Sequence, residues 1–470
     1  MPIEATFAQP QDPLTELGEA LDREKSTAQS VKADTESATT LIALEESYPE
    51  GGLRAWLVVL GCFLYACTVF GWGLNWGVLQ DYYHTTMFPN TSLSVLGTIV
   101  GLANFVSMNL LHAQCISMNN GEFQQKMIAI SCFLAYLCLL ASAFVTKVYQ
   151  LFLFQGCLLG LSQGIGMPLY FSLCSQWFLK KRGLATGIAV SGSGIGGGIE
   201  TLIMRQLISR IGYRNTILTF SSLHAVIWIF AWFLLKERLP PGTNPTAKKL
   251  WLPKKITGSF WSVALSMFFG VFGYLPPYYL STTYTRQMVP GLSASSLLAT
   301  VPLIAMNFCL GIGRISAGRL ADIFGPINMF FCSFFVGGLL QMVFWTFART
   351  YTAIIIFSIL NGLVGSWFMS LLPVVCARLF GVEGLSTITG FMILANSPGQ
   401  FVGTTIAALV LSTSGNNWKA VSLYSGSMQI VGALSILYGT RHGKKPNMTT
   451  LTCYTITARF HQEKRVFVKV

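Results

Sequence analysis

From about residue 50 almost to its end, the chain alternates long apolar runs with short polar breaks. A helix needs roughly 20 apolar residues to cross the hydrocarbon of a bilayer. Twelve such runs can be drawn, at residues 55–79, 92–113, 127–146, 149–174, 184–207, 215–235, 258–281, 293–317, 327–347, 352–376, 385–411 and 420–440. The second is the least apolar, with Asn104, Ser107, Asn109 and His112 in its latter half. The longest break falls after the sixth run and holds Pro240, Pro241, Pro245, Pro253, Lys248, Lys249, Lys254 and Lys255. The pattern predicts an all-α polytopic membrane protein of twelve transmembrane helices in two pseudo-symmetric six-helix bundles. The expected divisions are an acidic disordered tail at 1–50, a first bundle at 51–236, a basic loop at 237–257, a second bundle at 258–440 and a C-terminal tail at 441–470.

Composition agrees. The chain is 52% hydrophobic and 10% charged, against about 25% charged for a soluble domain. Of its 18 acidic residues, 11 precede Leu53. That tail is rich in Glu, Asp, Ser and Thr, which cannot build a core. It has no apolar stretch resembling a signal peptide, so insertion is expected to begin with the first spanning run. The remaining acids are Asp81, Glu122, Glu200, Glu237, Asp322, Glu383 and Glu463.

The net charge of +13 does not indicate a nucleic-acid partner, because the basic residues sit in short breaks beside apolar runs. With both termini placed in the cytoplasm, 20 Lys and Arg from Arg54 onward fall on inward segments and 6 on outward ones, as the positive-inside rule requires. The expectation is a multi-pass protein of the plasma membrane, or alternatively of the vacuolar or another internal membrane. Its partners would then be the lipid bilayer, a small-molecule substrate and coupled protons, with the protein monomeric. The sequon Asn90-Thr91-Ser92 would face outward, making Asn90 a candidate glycosylation site.

The two halves share a weak repeat. The fifth run opens Arg182-Gly183-Leu184-Ala185-Thr186-Gly187 and continues Ser191-Gly192-Ser193-Gly194. The eleventh opens Gly384-Leu385-Ser386-Thr387 and continues Asn396-Ser397-Pro398-Gly399. Repeated halves of this kind are common in secondary transporters.

Three stretches carry a resemblance to a known family. They are Pro49-Glu50-Gly51-Gly52-Leu53-Arg54-Ala55-Trp56, then Trp177 to Gly192 with Lys180-Lys181-Arg182 at its centre, then Gly318-Arg319-Leu320-Ala321-Asp322-Ile323-Phe324-Gly325. Together they resemble the major facilitator superfamily, in its monocarboxylate-transporter-like branch of fungal type. The resemblance spans roughly residues 49–440 and implies alternating access about one central site. It also implies that the fifth and eighth helices pack together, with Gly187 and Gly192 allowing close approach. Lys180, Lys181, Arg182, Gly318, Asp322 and Gly325 are implied gating residues. There are departures. The segment Gln114–Glu122 lacks the second copy of the Gly-Asp loop motif. The lysine that animal members carry on helix 1 falls at Leu74, and the aspartate paired with the helix 8 arginine falls at Leu310, so only Arg314 carries over.

Inside the spans, Glu200 and Arg314 are the charges that call for partners, since a charge at the bilayer centre costs about 2.5–3.5 kcal/mol on insertion scales. The expectation is that Arg314 binds an anionic substrate group and Glu200 pairs with it or carries a proton. Glu200 could instead pair with Arg205 or sit in water near the outer mouth. Asn75, Asn307 and Asn361 are further candidate substrate-binding residues, and Trp72, Trp76, Tyr170, Tyr274 and Trp367 candidate aromatic linings. His224 reads as structural. The sequence shows no zinc spacing, no P-loop and no nucleophile–base arrangement, so no metal, cofactor or enzyme activity is expected. The expected function is secondary transport of a small organic solute, monocarboxylate-like. The alternatives are efflux of a fungal secondary metabolite, or a transport-inactive receptor on the same fold.

Overall fold

The computed structural model describes residues 51–117, 122–178, 181–236, 256–292, 296–380 and 385–442. The expected tail 1–50, residues 237–255 of the basic connection and residues 443–470 lie outside them. Every described element is helical. We number the membrane helices α1 (Leu53–Met87), α2 (Leu93–Ser117), α3 (Glu122–Ser142), α4 (148–177), α5 (182–211), α6 (213–234), α7 (Gly258–Met288), α8 (Val301–Phe324), α9 (Pro326–Trp345), α10 (Tyr351–Phe380), α11 (Leu385–Thr413) and α12 (Trp418–His442).

Among the described residues, ten stretches are long and apolar enough to cross a membrane. One of them, Gly183–Leu234, is two helices joined at Gly212, whose φ of 77° breaks the helical path. This left-handed conformation is open to glycine at little cost. The apolar helix Lys126–Ser142 is shorter. With these two taken into account, the twelve expected spans are all present. The boundaries moved most at α1, α7 and α8 and between α5 and α6: α7 continues past the predicted residue 281 to Met288, and α8 is Val301–Phe324 against the predicted 293–317. α1 continues past the predicted residue 79 to Met87, ending in a π turn at Tyr83–Met87. Residues 208–214, expected as a connection, are helical on both sides of Gly212.

Which faces are apolar shows what the surface meets. On α6, Val226, Ile229, Phe230 and Phe233 are 65%, 60%, 54% and 64% exposed. Their spacing puts them on one helical face, and in water such a stripe would be a strong aggregation patch. Polar side chains such as Asn75, Asp81, Gln155, Glu200, His224, Asn307 and Arg314 are instead turned inward. This arrangement suits a lipid surround.

The packing repeats with a shift of six helices. α1 lies against α5 and α6, and α7 lies against α11 and α12. Between the halves, α2 packs on α11 and α5 packs on α8, contacts that exchange under the same shift. Small residues make the seams close. A Cβ on Gly192 or Gly196 would collide with the α1 backbone at Phe63 or Cys67, and one on Gly194 with the α8 backbone at Gly311. Gly-lined crossings of this sort let backbones approach in lipid, where helix packing relies on van der Waals contact. α1 is interrupted at Asn75 (φ −85°, ψ −2°) and α7 at Leu275 (φ −80°, ψ −30°), with Pro276 opening the next segment. Two broken helices at corresponding positions of the two halves mark where irregular backbone can serve a site.

Candidate functional site: buried charges between the two halves

The α1 interruption places Asn75 opposite α5. Gly71 and Gly197 meet so closely there that a Cβ on Gly71 would stand 2.8 Å from the Gly197 backbone nitrogen. Glu200 lies one turn further along α5, on the same face. Asn75 Nδ2 donates to Glu200 Oε2 at 3.0 Å, and His224 Nε2 on α6 stands 2.8 Å from Glu200 Oε1. The imidazole is enclosed by Trp72, Phe220 and Trp228, with ring centroids 5.8, 5.8 and 5.5 Å away. Trp228 is itself fixed by its Nε1 donating to Thr68 Oγ1 at 2.7 Å. The partner of Glu200 is His224, which reads as structural in the sequence, and not Arg314 or Arg205, the partners the sequence suggests. Glu200 and His224 lie 24 residues apart on separate helices, and it is the turn at Gly212 that brings them together.

Arg314 extends from α8 toward α5, where Nη1 donates to the Val190 carbonyl at 3.3 Å and to Ser193 Oγ. Its Nε finds no hydrogen-bond acceptor among the described residues. Tyr274 and Tyr278, on either side of the α7 interruption, lie within range of its charge. The Tyr274 ring also packs edge-on to Phe368 of α10, with centroids 5.0 Å apart. Among the described residues no carboxylate forms an ion pair with Arg314. A buried guanidinium held only by neutral oxygens keeps its positive charge uncompensated, an expensive arrangement in a membrane protein.

The other asparagines are placed differently from one another. Asn307, two turns before Arg314 on α8, donates to Thr201 Oγ1 of α5 at 3.4 Å, and its Oδ1 has no donor among the described residues. It belongs to the same α5–α8 seam as Arg314. Asn361 of α10 accepts from Gln341 Nε2 of α9 at 3.4 Å and lies 3.7 Å from Met306 Sδ of α8. These bonds keep it inside the C-terminal half. Trp76 stacks edge-on to Tyr83 in the N-terminal half, and the side chain of Tyr170 lies outside the described residues.

A third group was not anticipated. Asp81, fully buried in the α1 segment that follows Asn75, accepts from Arg286 Nη2 of α7 at 2.8 Å and from Thr283 Oγ1 at 3.4 Å. Its second oxygen lies 3.7 Å from Arg205 Nη1 of α5. One carboxylate thus joins two arginines from opposite halves. Next to it, α1 and α7 touch at Gly77, where a Cβ would come within 2.8 Å of the Tyr278 carbonyl oxygen. The sequence did contain a signal. Asp81 is one of very few acids outside the tails, and the repeat puts the ends of α1 and α7 at equivalent positions.

Of the motif residues, Lys180 lies outside the described residues, as do the side chains of Arg182 and Asp322. Lys181 precedes the first turn of α5. A Cβ on Gly187 would stand 3.3 Å from the Arg314 carbonyl oxygen and one on Gly318 3.5 Å from the Gly183 carbonyl oxygen, so both line the α5–α8 seam. Gly192 faces α1 instead. Gly325, with φ of 88°, makes the turn between α8 and α9. Asn90 is exposed in the connection 88–92. Among the described residues no cluster of three or more His, Cys, Asp or Glu could hold a metal ion.

Two six-helix halves, broken helices at matching positions and buried charges at the seam define a membrane carrier. The family model described as Major Facilitator Superfamily matches residues 61–317 and 291–451, and the chain belongs to that family of transporters. It is 26% identical to "MFS transporter asaE" of Aspergillus flavus, over 90% of this chain and 92% of that protein. It is 26% identical to the "Fujikurins efflux protein" of Gibberella fujikuroi, over 91% of each, and 27% identical to the "Aspyridones efflux protein apdF" of Emericella nidulans, over 83% and 78%. Among solved structures, the nucleoside transporter NupG superposes with a TM-score of 0.61 at 14% identity, covering 83% of this chain and 100% of that one. A point mutant of the same transporter superposes with a TM-score of 0.61 at 16% identity, covering 82% and 99%. At such low identity the likeness concerns the fold.

Proposed function

We propose that the protein exports a small organic metabolite bearing an anionic group, by alternating access of its two halves around Arg314. The observation that carries this reading is the Arg314 guanidinium, buried at the α5–α8 seam without a carboxylate partner among the described residues. A delocalised, permanently charged fork of donors suits a carboxylate or enolate oxygen pair. Tyr274, Tyr278 and Phe368 supply an apolar, aromatic flank for the body of such a molecule. Efflux of secondary metabolites is what the names of two relatives state, and this supports export over uptake. The monocarboxylate-transporter-like branch fits the retained arginine, while the missing helix 1 lysine and helix 8 aspartate separate the substrate from a simple monocarboxylate.

In this reading both termini are cytoplasmic and the Asp81 end faces outward, at the plasma membrane. The positive-inside distribution supports that orientation. The Asp81–Arg286 contact closes the outer end, and substrate enters from the cytoplasm. When the halves rock, α1 and α7 separate at Gly77 while the Gly-lined α5–α8 seam slides without side-chain collision.

The test is metabolite profiling of the organism after deletion of the gene, complemented with wild type or Arg314→Ala. The reading expects one or a few acidic metabolites to be retained in the cells on deletion. Wild type should restore release and Arg314→Ala should not. Unchanged profiles on deletion, or full rescue by Arg314→Ala, would contradict it.

A further inference from the structure

A guanidinium presents its N–H groups in one plane, so a bond on one nitrogen decides which edge is left for a ligand. On Arg314 the nitrogen in use is Nη1, which donates to the Val190 carbonyl at 3.3 Å and to Ser193 Oγ, both on α5. Its two hydrogens are thereby engaged. Nε, also buried, has no acceptor among the described residues. We propose that Ser193 is a positioning residue for Arg314: by holding Nη1 it leaves the side-on edge, Nε with Nη2, as the face that meets the substrate. The proposal rests on the export reading for the identity of the ligand, and on the α5–α8 hydrogen bonds alone for the positioning.

The hydroxyl is set for this task. Ser193 Oγ donates to the Val190 carbonyl at 2.8 Å. Its one proton is committed there, so only lone pairs face Arg314. The same carbonyl accepts from Nη1, which closes a ring of bonds among the three groups. The backbones on either side are held by close approach. A Cβ on Gly187 would stand 3.3 Å from the Arg314 carbonyl oxygen, and one on Gly194 would collide with the Gly311 nitrogen. The α8 backbone around Arg314 therefore lies directly on α5, and Ser193 meets the guanidinium at a set distance.

The other groups that could orient the guanidinium are apolar or engaged. About one turn before Arg314 on its own helix stands Leu310, fully buried and without a side-chain oxygen. Glu200, about two turns past Ser193 on α5, has its two carboxylate oxygens bonded to Asn75 and His224. Orientation falls to Ser193 and the Val190 carbonyl, so a side chain of one half aims the binding group of the other.

The edge left over sets the chemistry of the ligand. Nε and Nη2 together take two oxygens lying in the guanidinium plane, as a carboxylate or an enolised 1,3-dicarbonyl offers them. The buried hydroxyls of Tyr274 and Tyr278 lie within range of the same charge and can each donate to an oxygen held there. An anion with a single oxygen uses only half of this edge.

The experiment has two readouts, both on the full-length chain. The first uses protein in lipid nanodiscs and phenylglyoxal as the probe, a reagent that condenses with the two terminal nitrogens of a guanidinium. Peptide mass spectrometry reads the rate of modification at Arg314, with Arg286 of the same molecule as internal reference. Arg314 should react slowly in wild type, where Nη1 is held. Ser193→Ala removes a hydrogen bond to a charged group, so Arg314 should react about tenfold faster, with Arg286 unchanged. Equal Arg314 rates in the two proteins, or an equal acceleration at Arg286, would overturn the positioning.

The second readout is release by the complemented deletion strain, followed against the internal concentration of the retained metabolite. Ser193→Ala should raise the half-saturating concentration about tenfold and lower the maximal rate far less, because the charge remains but is no longer aimed. A half-saturating concentration that stays at the wild-type value, whatever the maximal rate does, would refute the role in binding substrate. If even wild type releases nothing, the export reading fails, while the phenylglyoxal rates still decide whether Ser193 positions Arg314.

Discussion

Arg286 of α7 donates to Asp81 of α1 at 2.8 Å, joining the two halves of the protein through a carboxylate with no exposed surface. Arg205 of α5 approaches the other oxygen of that carboxylate at 3.7 Å. The bond is conditional: it exists while the ends of α1 and α7 are together and must break for them to part. A hydrogen bond to a charged group contributes about 1.5–3 kcal/mol, and each 1.4 kcal/mol is about tenfold in a population. This is enough to bias a two-state carrier without locking it.

Asp81→Asn should weaken the closure by removing the charge that Arg286 and Arg205 approach, so the α1–α7 end should be open in a roughly tenfold or larger share of molecules than in wild type. Reaction of a cysteine introduced at Thr282 with a membrane-impermeant thiol reagent checks this. Thr282 is fully buried on α7, one residue from Thr283. The cysteine should be slow to react in the wild-type background and markedly faster with Asp81→Asn.

Gly77→Val tests the same closure by volume instead of charge. A Cβ at Gly77 already meets the Tyr278 carbonyl oxygen at 2.8 Å, and a branched side chain needs still more room. The variant should fold, because the clash lies between the halves and not within one, but it should not close. Metabolite release should fall at least tenfold while the protein remains monodisperse in detergent. Normal release by Gly77→Val would show that α1 and α7 need not meet there.

Arg314→Lys separates charge from shape. Lysine keeps the positive charge but loses the planar fork that can bond two oxygens at once. Release in the complemented strain should be retained in part and well below wild type, whereas Arg314→Gln should abolish it. Equal rates for Arg314→Lys and wild type would mean that a point charge suffices.

Trp228→Phe removes the hydrogen bond to Thr68 Oγ1 while keeping most of the aromatic wall behind His224. The loss of a buried bond between α6 and α1 costs about 0.5–1.5 kcal/mol, with a further penalty for the unpaired hydroxyl. Thermal unfolding of the purified protein should shift down by a few degrees. An unchanged midpoint would mean that the Thr68 hydroxyl finds another partner.

The helical framework was legible because in lipid almost every membrane-buried residue of a spanning segment is apolar and each span has nearly fixed length. The twelve runs follow from that, whereas the packing of α5 on α8 was implied by the family resemblance. Pairings across the interior were not legible in the same way. Glu200 and Arg314 looked like partners because both are charged and on neighbouring helices. On α5, however, Ser193 and Glu200 lie about two turns apart, so the two charges meet different neighbours. Asp81 and Arg286 both fall between the apolar runs, at 80–91 and 282–292, where a charge needs no explanation. The extension of α1 to Met87 and of α7 to Met288 brings both into the protein.

Alternating access is tested most directly by distances across the end where α1 meets α7. Spin labels at Pro89 and Gly291, exposed positions beyond α1 and α7, can be measured by double electron–electron resonance in nanodiscs, in wild type and in Asp81→Asn. Wild type should be dominated by the shorter distance with a minor longer one, and Asp81→Asn should shift the balance strongly to the longer. One identical narrow distance in both proteins would contradict a pair of halves that open where Asp81 meets Arg286.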